Sequence, residues 1–151
     1  MTSTHETEVH GPVDFVLLEF PIAGLTGRAS QELARLVEEG VIRLFDLLVV
    51  AKNEDGTVEV LELTDPGGPA NEFSYFEGAQ SGLLGQEEIV EAADAILPGR
   101  LAVLVVYENI WAAPFVAAAR DGGGELVASM RIPAPDVMAA LESLEAAPPV
   151  S

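Results

Sequence analysis

A continuous apolar stretch, rich in β-branched valine, occupies residues 101–107 with the sequence LAVLVVY. A strand with one face in water alternates apolar and polar residues, whereas a strand buried on both faces is apolar throughout. Residues 101–107 therefore predict a strand that is buried on both faces. The segment 13–20, VDFVLLEF, has the same character and ends at Pro21, as an interior strand would.

A helix and a hairpin are predicted between these two strands. Thr26 is a candidate N-cap for a helix over 26–39, in which Ala29, Leu33, Leu36 and Val37 form one stripe. Strands over 41–52 and 57–63 flank Asn53-Glu54-Asp55-Gly56. Because Asp-Gly adopts the positive φ angles of tight turns, this segment predicts an antiparallel hairpin.

The second half of the chain contains a long break followed by alternating elements. The break covers residues 65–85, and a structureless loop of that length is unusual, so we expect some helix inside it. Two helices are predicted over 86–97 and 109–121, followed by an edge strand over 125–132, where apolar and polar residues alternate. A last helix is predicted to begin at Pro135, with Val137, Met138, Leu141 and Leu144 pointing inward.

The predicted order is β-α-β-β-α-β followed by α-β-α, which places the chain in the α+β class. The first six elements predict a ferredoxin-like βαββαβ sandwich, an antiparallel sheet with helices on one face, extended by the further α-β-α. We expect a flexible arm over 1–10, a single domain over 11–146 and a frayed C-terminus over 147–151.

Composition excludes two classes of protein. The chain has 151 residues, 49% of them apolar, and a net charge of −18 from 25 acidic and 7 Lys or Arg residues. The apolar content argues against a disordered acidic chain. The scarcity of bases argues against nucleic-acid binding. A basic protein partner, by contrast, would be attracted electrostatically.

Cysteine content and the N-terminus bear on chemistry and location. The chain has no Cys, which excludes thiolate catalysis and Cys-based metal sites. Its two histidines, His5 and His10, lie in the predicted arm, so we expect no metal and no cofactor. Met1–Val13 lacks the features of a signal peptide, and no apolar segment approaches the about 20 residues of a membrane span. We expect a soluble, cytoplasmic protein.

Five short motifs follow one another along the chain. They are GPVDF at 11–15, EFP at 19–21, FDLL at 45–48, ENIWAAPF at 108–115 and GELVA at 124–128. This ordered set resembles a family of small acidic actinobacterial proteins classed as a domain of unknown function, over residues 11–144. That family is distantly similar to small stress-associated proteins with a ferredoxin-like core. The resemblance implies this fold and a bacterial cytoplasm, and it implies no activity or catalytic residue.

Three carboxylates are candidate site residues. If the strands that end in Glu19 and Glu108 are neighbours with the same direction, the two acids meet and repulsion raises one pKa. The alternative, which we favour, is that each meets solvent or caps a backbone amide. Asp46 interrupts an apolar strand, and burial without a partner would cost several kcal/mol. Arg100 or Arg131 are candidate partners, and we interpret Asp46 as a hydrogen-bonded register or interface residue.

Aromatic residues mark two further candidate surfaces. Asn109 and Trp111 follow a strand and lead into a helix, a place where ligand contacts occur in α/β-type folds. Trp111 is otherwise a core or lid aromatic. Phe73, Tyr75 and Phe76 lie in the Gly/Pro-rich break, where they either form a contact surface or close over an open sheet face.

Three hypotheses about function follow. The preferred one is a non-enzymatic domain that self-associates into a homo-oligomer through the edge strand 125–132 or the aromatic segment 73–76. The alternative is a small-ligand-binding or regulatory module with a pocket near Glu19, Glu108, Asn109 and Trp111. The least favoured is an enzyme that uses Glu19 and Glu108, which requires the two carboxyl groups to lie within about 10 Å of each other.

Overall fold

A computed structural model describes residues 10–22, 25–126 and 134–146. Its strands are β1 (Val13–Pro21), β2 (Ile42–Lys52), β3 (Val58–Leu61) and β4 (Arg100–Asn109). Its α-helices are α1 (Arg28–Glu38), α2 (Gln86–Ala95), α3 (Ala113–Asp121) and α4 (Ala134–Ala146), and two 3₁₀ helices cover Asn71–Ala79 and Ile110–Ala112. Most of the predicted arm, most of the predicted strand 125–132 and the predicted frayed C-terminus lie outside the described residues.

The four described strands form one antiparallel sheet in the order β1-β4-β2-β3. The α+β class is confirmed, and so is the β2–β3 hairpin, in which Gly56 has a φ of +88° and the Asn53 amide donates to the Thr57 carbonyl. Residues 101–106 are buried without interruption. The strand that residues 101–107 predict to be buried on both faces is therefore β4. The prediction of an interior strand over 13–20 is wrong, because β1 lies at the edge of the described sheet and has no fully buried residue.

The ferredoxin-like topology is not confirmed. The two β-α-β units are β1-α1-β2 and β3-α2-β4. In each unit another strand lies between the two strands, as it also does in the ferredoxin-like fold: β4 separates β1 from β2, and β2 separates β3 from β4. A ferredoxin-like sheet has its first and third strands at the centre, whereas the centre here holds the second and fourth. The prediction of helices on one face is wrong, because α1 and α2 cover opposite faces of the sheet.

Side-chain alternation along β4 separates two cores. We call the face that carries Val103 and Val105 the α1 face, and the face that carries Ala102, Leu104 and Val106 the α2 face. The α1 face packs against α1 and the 3₁₀ helix 71–79 through Leu33, Ala34, Val37, Phe73 and Phe76. The α2 face packs against α2 through Ile89, Ala92 and Ile96. Burial on both faces explains why β4 is apolar throughout.

The start of α1 differs from the sequence prediction by one residue. Gly27, with a φ of +87°, occupies the N-cap position expected for Thr26. No side chain of α1 itself caps the helix. Instead, Oε1 of Glu72 accepts a hydrogen bond of 3.3 Å from the Gly27 amide. A carboxylate from the break therefore holds the positive end of α1.

The break contains the expected helix, but not the expected contact surface. Phe73 and Phe76 on the 3₁₀ helix 71–79 are buried in the α1-face core, at 2% and 3% exposure, whereas Tyr75 is 63% exposed. The interpretation of Phe73 and Phe76 as a surface for partners is therefore wrong. The alternative, in which they close over an open sheet face, is correct.

The last helix is not packed as predicted. Residues 135–146 of α4 are all exposed, including Val137, Met138, Leu141 and Leu144. The helix itself is present, with Pro135 in its first turn as expected. Its apolar residues contact no core in the described part of the chain, so the prediction that they point inward is wrong.

Candidate functional site

A cavity of about 400 Å³ lies between α1 and the α1 face of the sheet. Alternate residues of two neighbouring strands form its floor, namely Val16 and Leu18 from β1 with Val103 and Val105 from β4. Residues on one face of α1 form its roof, namely Ala29, Glu32, Leu33 and Leu36. Phe73 closes the inner wall. The lining is mainly apolar because both elements turn their apolar faces toward this space.

Polar groups are concentrated at one end of the cavity. Tyr107 and Asn109 continue the same face of β4, and Trp111 follows in the short 3₁₀ helix. The indole Nε1 of Trp111 donates to Oδ1 of Asn109 at 3.1 Å. Nδ2 of Asn109 donates in turn to Oδ2 of Asp14 at 2.8 Å. This chain of hydrogen bonds fixes the orientation of the Trp111 ring, which is 67% exposed at the rim.

The phenol hydroxyl of Tyr107 also lies at this end. It is the one side-chain polar group here that has no hydrogen-bond partner within residues 10–22, 25–126 and 134–146. The phenol is half-buried. Burial, and secondarily the charge of Asp14, raises the pKa of Tyr107 above its ordinary value. The hydroxyl therefore stays protonated at neutral pH and offers a hydrogen bond to whatever enters the cavity.

Two of the acids predicted to line this pocket lie elsewhere. In the β1–β4 register Glu108 faces Val13 and Glu19 faces Ala102, six residues farther along β1. At about 3.3 Å per residue the two acids are about 20 Å apart along the strands. Both also lie on the α2 face, opposite the cavity. Because β1 and β4 are antiparallel, Glu19 and Glu108 do not meet as the hypothesis of a carboxylate pair requires.

Each of these acids caps a backbone amide, as the favoured alternative predicted. Oε2 of Glu19 accepts from the Leu97 amide at 3.0 Å and lies 3.2 Å from Nε of Arg100. Glu108 is buried, and its Oε2 accepts from the Gly11 amide at 2.8 Å. Burial by itself would raise the pKa of Glu108, but the bonds from Gly11 and Arg43 outweigh it and lower that pKa.

Asp46 is fully buried and is hydrogen-bonded, as predicted, but not to an arginine. Its carboxylate accepts from the backbone amides of Leu47, Ser81 and Leu84 at 2.9, 3.2 and 2.8 Å. Arg100 lies beside Glu19 instead, and Arg131 is outside the described residues. The β2 register shifts between Leu44 and Asp46, so a bulge directs this carboxylate at the loop before α2.

The structure thus brings Asn109, Trp111 and Phe73 together and leaves Glu19, Asp46, Glu108 and Phe76 out of the cavity. Sequence reasoning missed Tyr107 and Asp14. The signal for Tyr107 was present, because a strand places residues 105, 107 and 109 on one face. Asp14 required knowledge of the β1–β4 pairing, which brings it opposite Tyr107.

The described residues offer neither a metal-binding cluster nor a membrane-spanning helix. Among residues 10–22, 25–126 and 134–146, no group of three or more His, Asp or Glu side chains is arranged to hold a metal ion. No helix in the same ranges is long and apolar enough to cross a membrane.

Comparison with known proteins identifies the family. No characterised protein and no solved structure matches the chain at a significant level. One family of unknown function matches residues 9–148, which is nearly the whole chain. This span includes β1, β4 and the cavity between them and α1. The chain therefore belongs to the family of unknown function DUF6325.

Proposed function

We propose that this protein is a non-enzymatic module that binds a small, mainly apolar ligand in the cavity under α1. One observation carries the proposal: an apolar cavity of about 400 Å³ ends in an exposed indole and in a phenol that has no hydrogen-bond partner among the described residues. Ligand sites in proteins are typically concave, apolar and about 300–1,000 Å³, with a few polar groups that orient the ligand. The cavity matches each of these features.

The non-enzymatic part of the proposal is supported by the placement of the acids. Paired carboxylates that act together lie within about 10 Å of each other. Glu19 and Glu108 are about twice that distance apart, from the strand rise of about 3.3 Å per residue. Asp46 and Glu108 are both occupied by hydrogen bonds to backbone amides. The cavity itself offers groups that bind and orient.

The test is a binding screen with a variant that fills the cavity. Trp111 is the single tryptophan, so its emission reports directly on the rim. A panel of small apolar compounds is titrated while Trp111 emission and melting temperature are followed. Ala29 is exposed on α1 and lines the cavity, so Ala29→Phe places a ring in the entrance. Ala118→Phe on the exposed side of α3 is the matched control.

We expect at least one compound to shift Trp111 emission and to raise the melting temperature. Ala29→Phe should abolish both effects, while Ala118→Phe should leave them intact. The proposal is wrong if no compound acts on the natural protein, or if the folded Ala29→Phe variant binds equally well.

A second candidate function, self-association into a homo-oligomer, is favoured by α4. Its residues 135–146 are all exposed, and Val137, Met138, Leu141 and Leu144 share a side. A helix of this length is marginal in water unless its apolar side is covered, since isolated helices need about 12–15 residues even in good sequences. We propose that the α4 of a second copy covers it. The net charge of −18 opposes this contact, so salt should strengthen it.

Light scattering on a sizing column, at low and high salt, tests self-association. We expect a dimer that is favoured by salt and that Leu141→Glu converts to a monomer. Val90→Glu, at an exposed position on α2, is the control and should remain a dimer. A natural protein that is monomeric at every salt concentration would contradict this candidate.

A cytoplasmic location and a role in stress responses are proposed from the resemblance of the ordered motifs to actinobacterial proteins. A basic protein partner is proposed from the net charge of −18. Quantifying the protein in bacterial cell fractions before and after stress tests the first two. Affinity capture at low and high salt tests the third, because a basic partner should be released by salt.

A further inference from the structure

We propose that the ligand is an amphiphilic amine, with a hydrocarbon body under α1 and an ammonium head beside Asp14, Tyr107 and Trp111. This inference rests on the proposed ligand-binding function. It adds the chemical class of the ligand, and it follows from the charges and rings at the polar end of the cavity.

The charge at this end is negative. Asp14 lies on the same face of β1 as Val16, which is part of the cavity floor. Oδ2 of Asp14 accepts the bond from Asn109, and no arginine or lysine bonds to Asp14 within the described ranges. No lysine or arginine lines the cavity in the part of the chain that the structure describes. An ammonium group at this end of the cavity therefore lies near a carboxylate that no described arginine or lysine neutralises.

Two nearby arginines and Glu32, the acid that lines the cavity among the described residues, already have ionic partners. Arg35 lies 2.8 Å from Glu32 and 2.8 Å from Glu39, so two exposed carboxylates share one guanidinium at the roof. Arg43 is bound to Glu108 on the α2 face. Glu32 is thus bonded to a cation, whereas Asp14 is bonded to none within the described ranges, and the probes below test Asp14 as the acid that favours a cationic head.

Two aromatic residues are linked to this carboxylate by strand pairing and by hydrogen bonds. Tyr107 faces Asp14 across the β1–β4 pair, and the Trp111 ring is held by Asn109, which also bonds to Asp14. Aromatic faces attract cations, and an ammonium within about 6 Å of a ring centre gains about 0.5–2 kcal/mol. A carboxylate head on the ligand would instead lie next to Asp14 in a protein of net charge −18. We therefore expect the cavity to bind a ligand with an ammonium head most tightly, one with an alcohol head less tightly, and one with a carboxylate head most weakly.

The experiment compares three probes that share one tail: octylammonium, 1-octanol and octanoate. Each is titrated into the full chain below its aggregation concentration, with Trp111 emission and calorimetry as readouts. Asp14→Asn removes the charge and retains an acceptor for Asn109. Glu91→Gln, at an exposed residue of α2 on the other side of the sheet, removes one charge far from the cavity and is the matched control.

We expect the ammonium probe to bind about tenfold more tightly than octanol, equivalent to about 1.4 kcal/mol, and octanoate to bind most weakly. Asp14→Asn should weaken the ammonium probe about tenfold and leave octanol unchanged, while Glu91→Gln should change neither. Equal loss in the two variants would mean general attraction to an acidic surface and would overturn the inference.

The outcomes separate this inference from the proposed function. If octanol or octanoate binds at least as tightly as the ammonium probe, the cavity binds ligands but the assigned class is wrong. If none of the three probes binds the natural protein, the inference fails. The Ala29→Phe screen with other apolar compounds then decides the proposed function separately.

Discussion

The guanidinium of Arg43 donates two hydrogen bonds to Oε1 of Glu108, from Nε at 2.9 Å and from Nη2 at 2.6 Å. The two residues are register partners on the central strands β2 and β4. The other oxygen of the Glu108 carboxylate accepts from the Gly11 amide. One buried acid therefore joins the start of β2, the end of β4 and the segment that precedes β1.

This arrangement predicts a specific dependence of stability on pH. The pKa of Glu108 is lowered in the folded state below its ordinary value of 4.5. The unfolded state therefore binds the proton first as the pH falls. The stabilisation is complete above about pH 4.5 and is lost as the pH falls through the folded-state pKa. Urea titrations between pH 7 and pH 3 measure this loss.

Glu108→Gln should show a smaller decrease in the free energy of unfolding over the same acid range, because its side chain does not titrate. Glu91→Gln is the control, since Glu91 is exposed, and it should follow the natural protein. Identical pH profiles for Glu108→Gln and the natural protein would refute the linkage.

Asp46→Ala should strongly destabilise the fold. The substitution leaves three backbone amides without their acceptor, and each unsatisfied buried group costs about 1–3 kcal/mol. We expect a total loss of about 3 kcal/mol or more. Hydrogen exchange should accelerate most at the Ser81 and Leu84 amides. Asp55→Ala in the exposed hairpin turn is the comparison and should cost much less. Unchanged exchange at Ser81 and Leu84 would contradict this assignment.

Phe73→Ala and Tyr75→Ala distinguish a core role from a surface role for the 3₁₀ helix 71–79. Phe73 is buried, so its truncation should cost about 3–5 kcal/mol. Tyr75 is exposed and donates only a 3.2 Å bond to Glu38, so its truncation should cost less than about 1 kcal/mol. Denaturant unfolding measures both. Equal small losses would mean that Phe73 is not part of the core.

Lys52→Met tests how the end of α2 is stabilised. The helix has no basic residue in its last turn, and Nζ of Lys52 donates to the carbonyls of Ala93 and Ile96 at 3.0 and 3.2 Å. A cation at a helix C-terminus contributes about 0.3–2 kcal/mol, so we expect a loss of about 1 kcal/mol. Arg28→Met, an exposed change of the same charge, should be nearly neutral in thermal unfolding. An equal loss in the two variants would refute the capping role.

The candidate site shows how far sequence reasoning reaches. Asn109 and Trp111 line the cavity, and a polar and aromatic pair at the end of a buried strand is a local signal in the sequence. The distance between Glu19 and Glu108 could not be predicted from local signals, since it depends on whether β1 and β4 run in the same direction. Strand direction is set by contacts between residues about 90 positions apart.

Local patterns in the sequence determined which segments became strands and helices. Strand β4 follows from a continuous apolar run, the hairpin from Asp-Gly, and α1 from the spacing of its apolar residues, because hydrophobic periodicity and turn geometry act over a few residues. Tertiary structure alone decided the order β1-β4-β2-β3, the placement of α1 and α2 on opposite faces, and hence the cavity. Those features depend on which apolar faces pair with one another, and many pairings of the same elements satisfy the local rules equally well.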